Sequence, residues 1–177
     1  MNNIINFPTT LTLTATNNPQ KKRYIHKEFA RSYTGPFNKK VNVSALVTNP
    51  SMKFCIGSLG NKEAGYLVNN DFVSSDSSVE SFSYCELAVV KKKYRSNGVL
   101  KDMLNASIKE HDIKGIELTE SRAVELQGYY KQFGFTFWIY IAERLVILVN
   151  PSVVKNHRSK QLLPSHLAAP VTMHLAA

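Results

Sequence analysis

Cysteine is scarce in this chain, with two residues, Cys55 and Cys85, among 177. Each sits in an apolar, strand-like segment, and no Cys-x-x-Cys pair occurs. That argues against a disulfide framework and for small buried side chains in a reducing compartment. The histidines (His26, His111, His157, His166, His174) are scattered without ligand spacing, so no metal site is expected. Long apolar runs are missing too. Runs such as "LVILV" after Arg144 have the length of a strand, far short of the roughly 20 residues a membrane helix needs. The opening stretch "MNNIINFPTTLTLTATNN" has neither the basic start nor the sustained apolar segment of a secretory signal. Cytoplasmic residence without membrane attachment is the expectation. Internal repeats are absent.

What remains is the composition of an ordinary globular chain, 44% hydrophobic and 20% charged, long enough to bury its own core. The charge is lopsided: 22 lysines and arginines against 13 aspartates and glutamates give +9. Such an excess suits an anionic partner, whether nucleic acid, an acidic protein or a phosphorylated cofactor. Nucleic-acid binding through Lys91, Lys92 and Lys93 with Lys21, Lys22 and Arg23 rests on charge alone, without interleaved aromatics or a known motif.

Periodicity divides the chain. "PTTLTLTAT" alternates as a strand. A helix follows Pro19, with Tyr24, Phe29 and Tyr33 on a rough common face, and "TGPFNKK" is a turn cluster. "KFCIGSLG", "NKE" and "AGYLVNN" read as a hairpin, and "SFSYCELAVV" as a strand over residues 81–90. Residues 97–111 read as an amphipathic helix with Val99, Met103, Leu104, Ala106 and Ile108 on a broad apolar face. Gly115 restarts the chain into "IELT"; a helix through "RAVELQGYYKQF" follows, capped near Thr119 and stopped at Gly134. "FTFWIYIA" and "RLVILV" are two more strands. The class is mixed α/β, one domain over residues 1–150, with residues 151–177 a poorly ordered or irregular extension.

The stretch "KKKYRSNGVLKDML" crowds positive charge where a strand turns into a helix. The first amides of a helix have no carbonyl partners, and with the helix dipole they form a seat for an anion, most often a phosphate. Gly98 permits a tight turn there, and Arg95 with the three lysines raises the positive potential.

This segment resembles the acyl-coenzyme A signature of the GNAT N-acetyltransferase superfamily, Arg/Gln-x-x-Gly-x-Gly/Ala opening a helix after an apolar strand. Here it reads Arg95-Ser96-Asn97-Gly98-Val99-Leu100 after "LAVVKKKY". Downstream, "LQGYYKQFGFTF" is similar to the second signature, with Tyr130, Gly134 and Phe135 at its spacing. The likeness covers roughly residues 50–150. It implies a mixed sheet with splayed central strands and acetyl-coenzyme A as co-substrate. Pantetheine would lie along Ala88, Val89 and Val90, and the pyrophosphate against residues 95–100. The chain departs from the pattern at Leu100, usually Gly or Ala, and at Ala123, often Asn. A non-catalytic protein of this fold with a degenerate coenzyme site is therefore the alternative.

Amine acetylation needs a base for the amine and a proton for the departing thiolate. Strand alternation sets Tyr84 and Glu86 on one face, Cys85 and Leu87 on the other. The resemblance makes Glu86 the candidate base and Tyr130 the candidate acid. The acceptor is an amine-bearing protein or small molecule of unspecified class.

Overall fold

A computed structural model of the chain describes residues 10–32, 49 and 51–155. The strands are β1 (Leu11–Thr16), β2 (Lys53–Leu59), β3 (Lys62–Phe72), β4 (Phe82–Val90), β5 (Ile113–Thr119), β6 (Phe137–Ala142) and β7 (Leu145–Val149). Three helices are seen among the described residues: α1 (Pro19–Ser32), α2 (Val99–His111) and α3 (Glu120–Lys131). The strands form one mixed sheet in the order β1-β2-β3-β4-β5-β7-β6, the α/β class read from the sequence. Two compact units divide the described residues. One holds those up to Asn70 together with Leu87–His111; the other holds Asp71–Glu86 and those from Asp112 onward. The turn cluster at 34–40, the Tyr33 and Phe29 side chains and residues 156–177 lie outside the described residues.

In the first unit, β1, β2 and β3 run antiparallel in sequence, and the Lys91 N–H donates to the Ala64 carbonyl at 2.8 Å, laying the end of β4 against β3. Alternation sends Phe54, Ile56, Tyr66 and Val68 to one face, where they pack with Met52 and Val89. α1 meets this face through a lysine. Lys22 is buried, its Nζ donating to the Met52 carbonyl at 3.0 Å and standing 5.3 Å from the centre of the Phe54 ring. Burial lowers its pKa. Asn18 caps the helix, its Oδ1 accepting from the Gln20 and Lys21 amides, and Pro19 follows as a first helical residue that needs no partner. With Lys22 turned inward, Tyr24 faces out at 64% exposure.

The opposite face carries Cys55, Gly57, Gly65 and Asn69, and it receives α2. Gly57 and Gly65 are cross-strand partners. A Cβ on Gly57 would stand 2.8 Å from Met103 Cγ and Sδ, and one on Gly65 2.9 Å from Met103 Sδ, so the two missing side chains seat Met103. Asn69 Nδ2 donates to Ser107 Oγ at 3.0 Å and lies 3.7 Å from Cys55 Sγ, while its Oδ1 is buried without a partner. Ser107 therefore joins Val99, Met103 and Leu104 on the buried stripe, and Ala106 and Ile108 sit only half-buried beside it. Both cysteines are buried, and they form no disulfide. Burial foremost, with Glu110 adding and Lys53 opposing, pushes the Cys55 thiol up to about 11.

In the second unit, β5 pairs parallel to β4 through Ser83, Tyr84 and Cys85, and antiparallel to β7, which pairs in turn with β6. Phe72, Phe82, Tyr84, Ile139, Ile147 and Val149 are part of its apolar core. Gly115 lies inside β5 and does not begin it: a Cβ there would sit 2.8 Å from the Leu148 carbonyl oxygen, so close strand approach selects the glycine. Thr119 precedes α3 without a side-chain capping bond. Tyr140 Oη donates to Glu120 Oε1 at 2.9 Å and ties the first turn of α3 to β6. After Asn150 the chain makes a 3-10 turn (Pro151–Val153) that buries Val153, and Val154 bridges to Val79.

Candidate functional site

β4 ends at Val90, a 3-10 turn covers Lys92–Tyr94, and α2 begins at Val99. Tyr94 is buried and anchors the turn, with Lys93 Nζ 4.8 Å from its ring centre; Lys92 and Lys93 stay exposed. Ser96 and Gly98 both have positive φ, 66° and 76°. Left-handed backbone is uncommon for serine, and here it completes a tight reversal from strand to helix. The Asp102 N–H donates to the Gly98 carbonyl at 3.0 Å as the first bond of the helix. The amides of residues 99–101 therefore fall outside the helical ladder and point out of its start. A Cβ on Gly98 would meet nothing within 4 Å, so the glycine serves the backbone angle and the space above the turn is open. Arg95 Nε donates to the Val90 carbonyl at 3.1 Å, which holds the guanidinium against the turn. Arg95, Ser96, Asn97 and Gly98 are exposed, Leu100 is half-buried and Val99 points into the core. The arrangement fits a phosphate-bearing ligand.

Along β4, the Lys91 amide faces β3. Successive peptide groups of a strand point to opposite edges, so those of Ala88 and Val90 are turned away from β3. Val89 behaves differently: its side chain is buried and its carbonyl oxygen lies 2.5 Å from where a Gly65 Cβ would stand. Of the three strand residues singled out in the sequence, Ala88 and Val90 turn their backbone groups away from β3, and Val89 belongs to the core.

Glu86 and Tyr130 both fall in the second unit. Glu86 is half-buried on β4. Tyr130 is buried near the end of α3, with its ring edge-on to Tyr129 at 5.1 Å. Burial above all, then Cys85 and Tyr129, raises the phenol above its ordinary pKa, with Arg122 opposing. Cys85, which precedes Glu86 on β4, is buried as well. Alternation turns Glu86 to the other face of the strand. The Tyr130 carbonyl accepts the Phe133 amide at 3.0 Å and the Phe135 amide at 3.4 Å, while Gly134 turns the chain at φ 81°. Phe135 is buried beyond the turn. The Tyr-x-x-x-Gly-Phe spacing is thus a helix stop that fixes Tyr130 in place.

An acetyltransferase from Thermus thermophilus superposes with a TM-score of 0.60 at 14% identity, over 81% of this chain and 98% of that one. A protein from Desulfovibrio desulfuricans described as a putative acetyltransferase of the GNAT family gives 0.57 at 13%, over 79% and 99%. The chain has the GNAT fold. An aminoglycoside acetyltransferase from an uncultured soil metagenomic sample gives 0.50 at 15% identity, over 79% and 95%. No protein-family model matches the sequence, and no curated protein does.

Within the GNAT fold the two departures have visible settings. Leu100 lies in the first turn of α2, and Ala123 is fully buried, so that position serves packing. The glycine seat under Met103 was missed in the sequence, although two glycines inside strand patterns are a sign of close approach. The second unit also has a cleft of about 590 Å³, lined in part by Asp71, Glu80, Ser83, Asp112, Lys114 and Ser152, which contains none of the expected site residues. Among the described residues no cluster of His, Cys, Asp and Glu is arranged to hold a metal ion, and no helix is long and apolar enough to cross a membrane.

Proposed function

We propose that this chain is an N-acyltransferase that moves an acetyl group from acetyl-coenzyme A to an amine in the cytoplasm. The observation that carries the reading is the turn at residues 95–100, whose outward amides, left-handed Ser96 and Gly98 and adjacent Arg95 suit a pyrophosphate, in a chain of the GNAT fold. Ala88 and Val90 would pair with the pantetheine arm through their backbone. Glu86 takes a proton from the acceptor's ammonium, directly or through water, and leaves the neutral amine that attacks. The amine nitrogen bonds the acyl carbon, the carbon–sulfur bond breaks and the nitrogen sheds its second proton to solvent, while the Tyr130 hydroxyl donates a hydrogen bond to the departing sulfur. Its raised pKa keeps the phenol neutral. An ordinary thiol, near pKa ~8.5, is the stronger acid, so Tyr130 shares its proton and solvent supplies the one the thiol keeps.

Calorimetric titration with coenzyme A tests the site without knowing the acceptor. Saturable binding at micromolar coenzyme, weakening as salt rises, is expected. A second reading, a GNAT-fold protein whose coenzyme site has decayed, is favoured by Leu100 in the first turn of α2. No heat at millimolar coenzyme, with binding restored by Leu100→Gly, would establish that reading instead.

Turnover of Tyr130→Phe should fall by about tenfold or more while its coenzyme A affinity stays at the parent value, because only the hydroxyl is lost. A matching rise in the coenzyme dissociation constant would show the hydroxyl to be a binding group.

A further inference from the structure

Residues 1–70 and 87–111, which make up the first unit, carry fifteen of the chain's 22 lysines and arginines and four of its 13 aspartates and glutamates. The remaining residues have a slight acidic excess. The +9 of the whole chain is therefore a property of one unit. The proposed coenzyme site accounts for the cations around residues 91–95 and leaves those of α1 without a role.

On α1, Lys22 is spent on packing, and its contacts with Met52 and Phe54 fix the rotation of the helix. The same rotation presents Lys21, Arg23, Tyr24 and Lys27 outward, all exposed. Lys21, Tyr24 and Lys27 recur at intervals of three residues, so they form a single stripe in the order cation, aromatic, cation. Arg23 lies four residues before Lys27 on the flank of that stripe. No acidic residue occupies the first turn to offset the charge or the helix dipole. Tyr24 is among the few large hydrophobic side chains that stand exposed in the described structure, and packing gives no reason for it to be there. A ring between cations is what a chain of phosphates bearing bases would use: the cations meet the phosphates and the ring stacks a base. A purely acidic peptide has no use for the ring.

We propose that this face of α1 binds single-stranded nucleic acid. The sequence pattern showed the charge without an interleaved aromatic; the outward setting of Tyr24 supplies it. The proposal is independent of the coenzyme site.

The test is fluorescence anisotropy of a labelled oligouridylate with the full chain over a series of salt concentrations. Replacing Lys21, Arg23 and Lys27 together by Ala should weaken binding and flatten the logarithmic salt dependence by about 2, at roughly 0.7 for each phosphate no longer neutralised. Tyr24→Ala should weaken binding about tenfold with the salt slope unchanged, and Tyr24→Phe should bind like the parent. Coenzyme A titration of the same variants should match the parent, which separates this surface from the acyl-donor site. Unchanged RNA affinity in the triple variant would overturn the proposal. So would polyglutamate displacing the RNA as well as unlabelled RNA does while Tyr24→Ala is harmless, an outcome that assigns the surface to an acidic protein.

Discussion

Acetyl transfer by the Glu86→Gln variant should fall by about a hundredfold or more, the usual size of a general-base contribution. Glutamine keeps the length and shape of the side chain, and its neighbours Tyr84 and Cys85 are buried, so the strand should fold as before. What it removes is the acceptor for the proton of the ammonium. The deficit should therefore shrink as pH rises, because the amine then sheds its proton without help. A purely structural role would give a deficit that pH does not change. Coenzyme A affinity should stay at the parent value, since the amide cluster lies at the far end of β4 and beyond. Equal rates for parent and variant across the pH range would remove Glu86 from the mechanism and leave water or the acceptor to carry the proton.

The second large effect concerns the seat of α2. Gly65→Ala adds a carbon 2.5 Å from the Val89 carbonyl oxygen, and backbone cannot swing aside as a side chain can. β3 and β4 must separate, at a cost of about 3 kcal/mol or more. For a chain of this size that lowers Tm by roughly 6–12 °C. Gly57→Ala meets only the Met103 side chain, at 2.8 Å, and thioethers rearrange readily, so its cost should be about 1 kcal/mol. Met103→Ala should relieve Gly57→Ala and leave Gly65→Ala unrelieved. Thermal unfolding of the five variants checks this. Similar losses at the two glycines, or relief of both by Met103→Ala, would mean that the helix and not the carbonyl limits the space.

The elements were legible where local chemistry agrees with tertiary demand. Pro19 opens α1, Gly134 stops α3, and the alternation through "SFSYCELAVV" gives β4 to within a residue. The turn at residues 95–98 was legible because only a flexible residue such as Gly98 tolerates its angle; Ser96 adopts the same region with no sign in its type. What stayed hidden was set by partners distant in sequence. Hydropathy assigns Lys22 to solvent and Tyr24 to the core, and a carbonyl and a ring on the β2 side reverse the two. Ser107 reads as polar surface until Asn69 claims it, and Gly115 reads as a boundary until β7 closes on it. The likeness of residues 95–100 to a coenzyme signature could be read because its residues are consecutive. The burial of Tyr130 required the fold.

The buried amide of Asn69 bears on how the hairpin finds its pairing. β2 and β3 are rich in apolar side chains on both faces, so hydrophobic collapse alone accepts a register slipped by one residue. Asn69 does not. A one-residue slip turns its side chain to the face that carries Phe54, away from its partners Ser107 and Cys55. In the native register it meets a hydroxyl on α2 and a sulfur on β2. One polar group thus disfavours near-miss registers that apolar neighbours would allow. The acceptor it leaves unfilled, Oδ1, is the cost in stability of that selectivity.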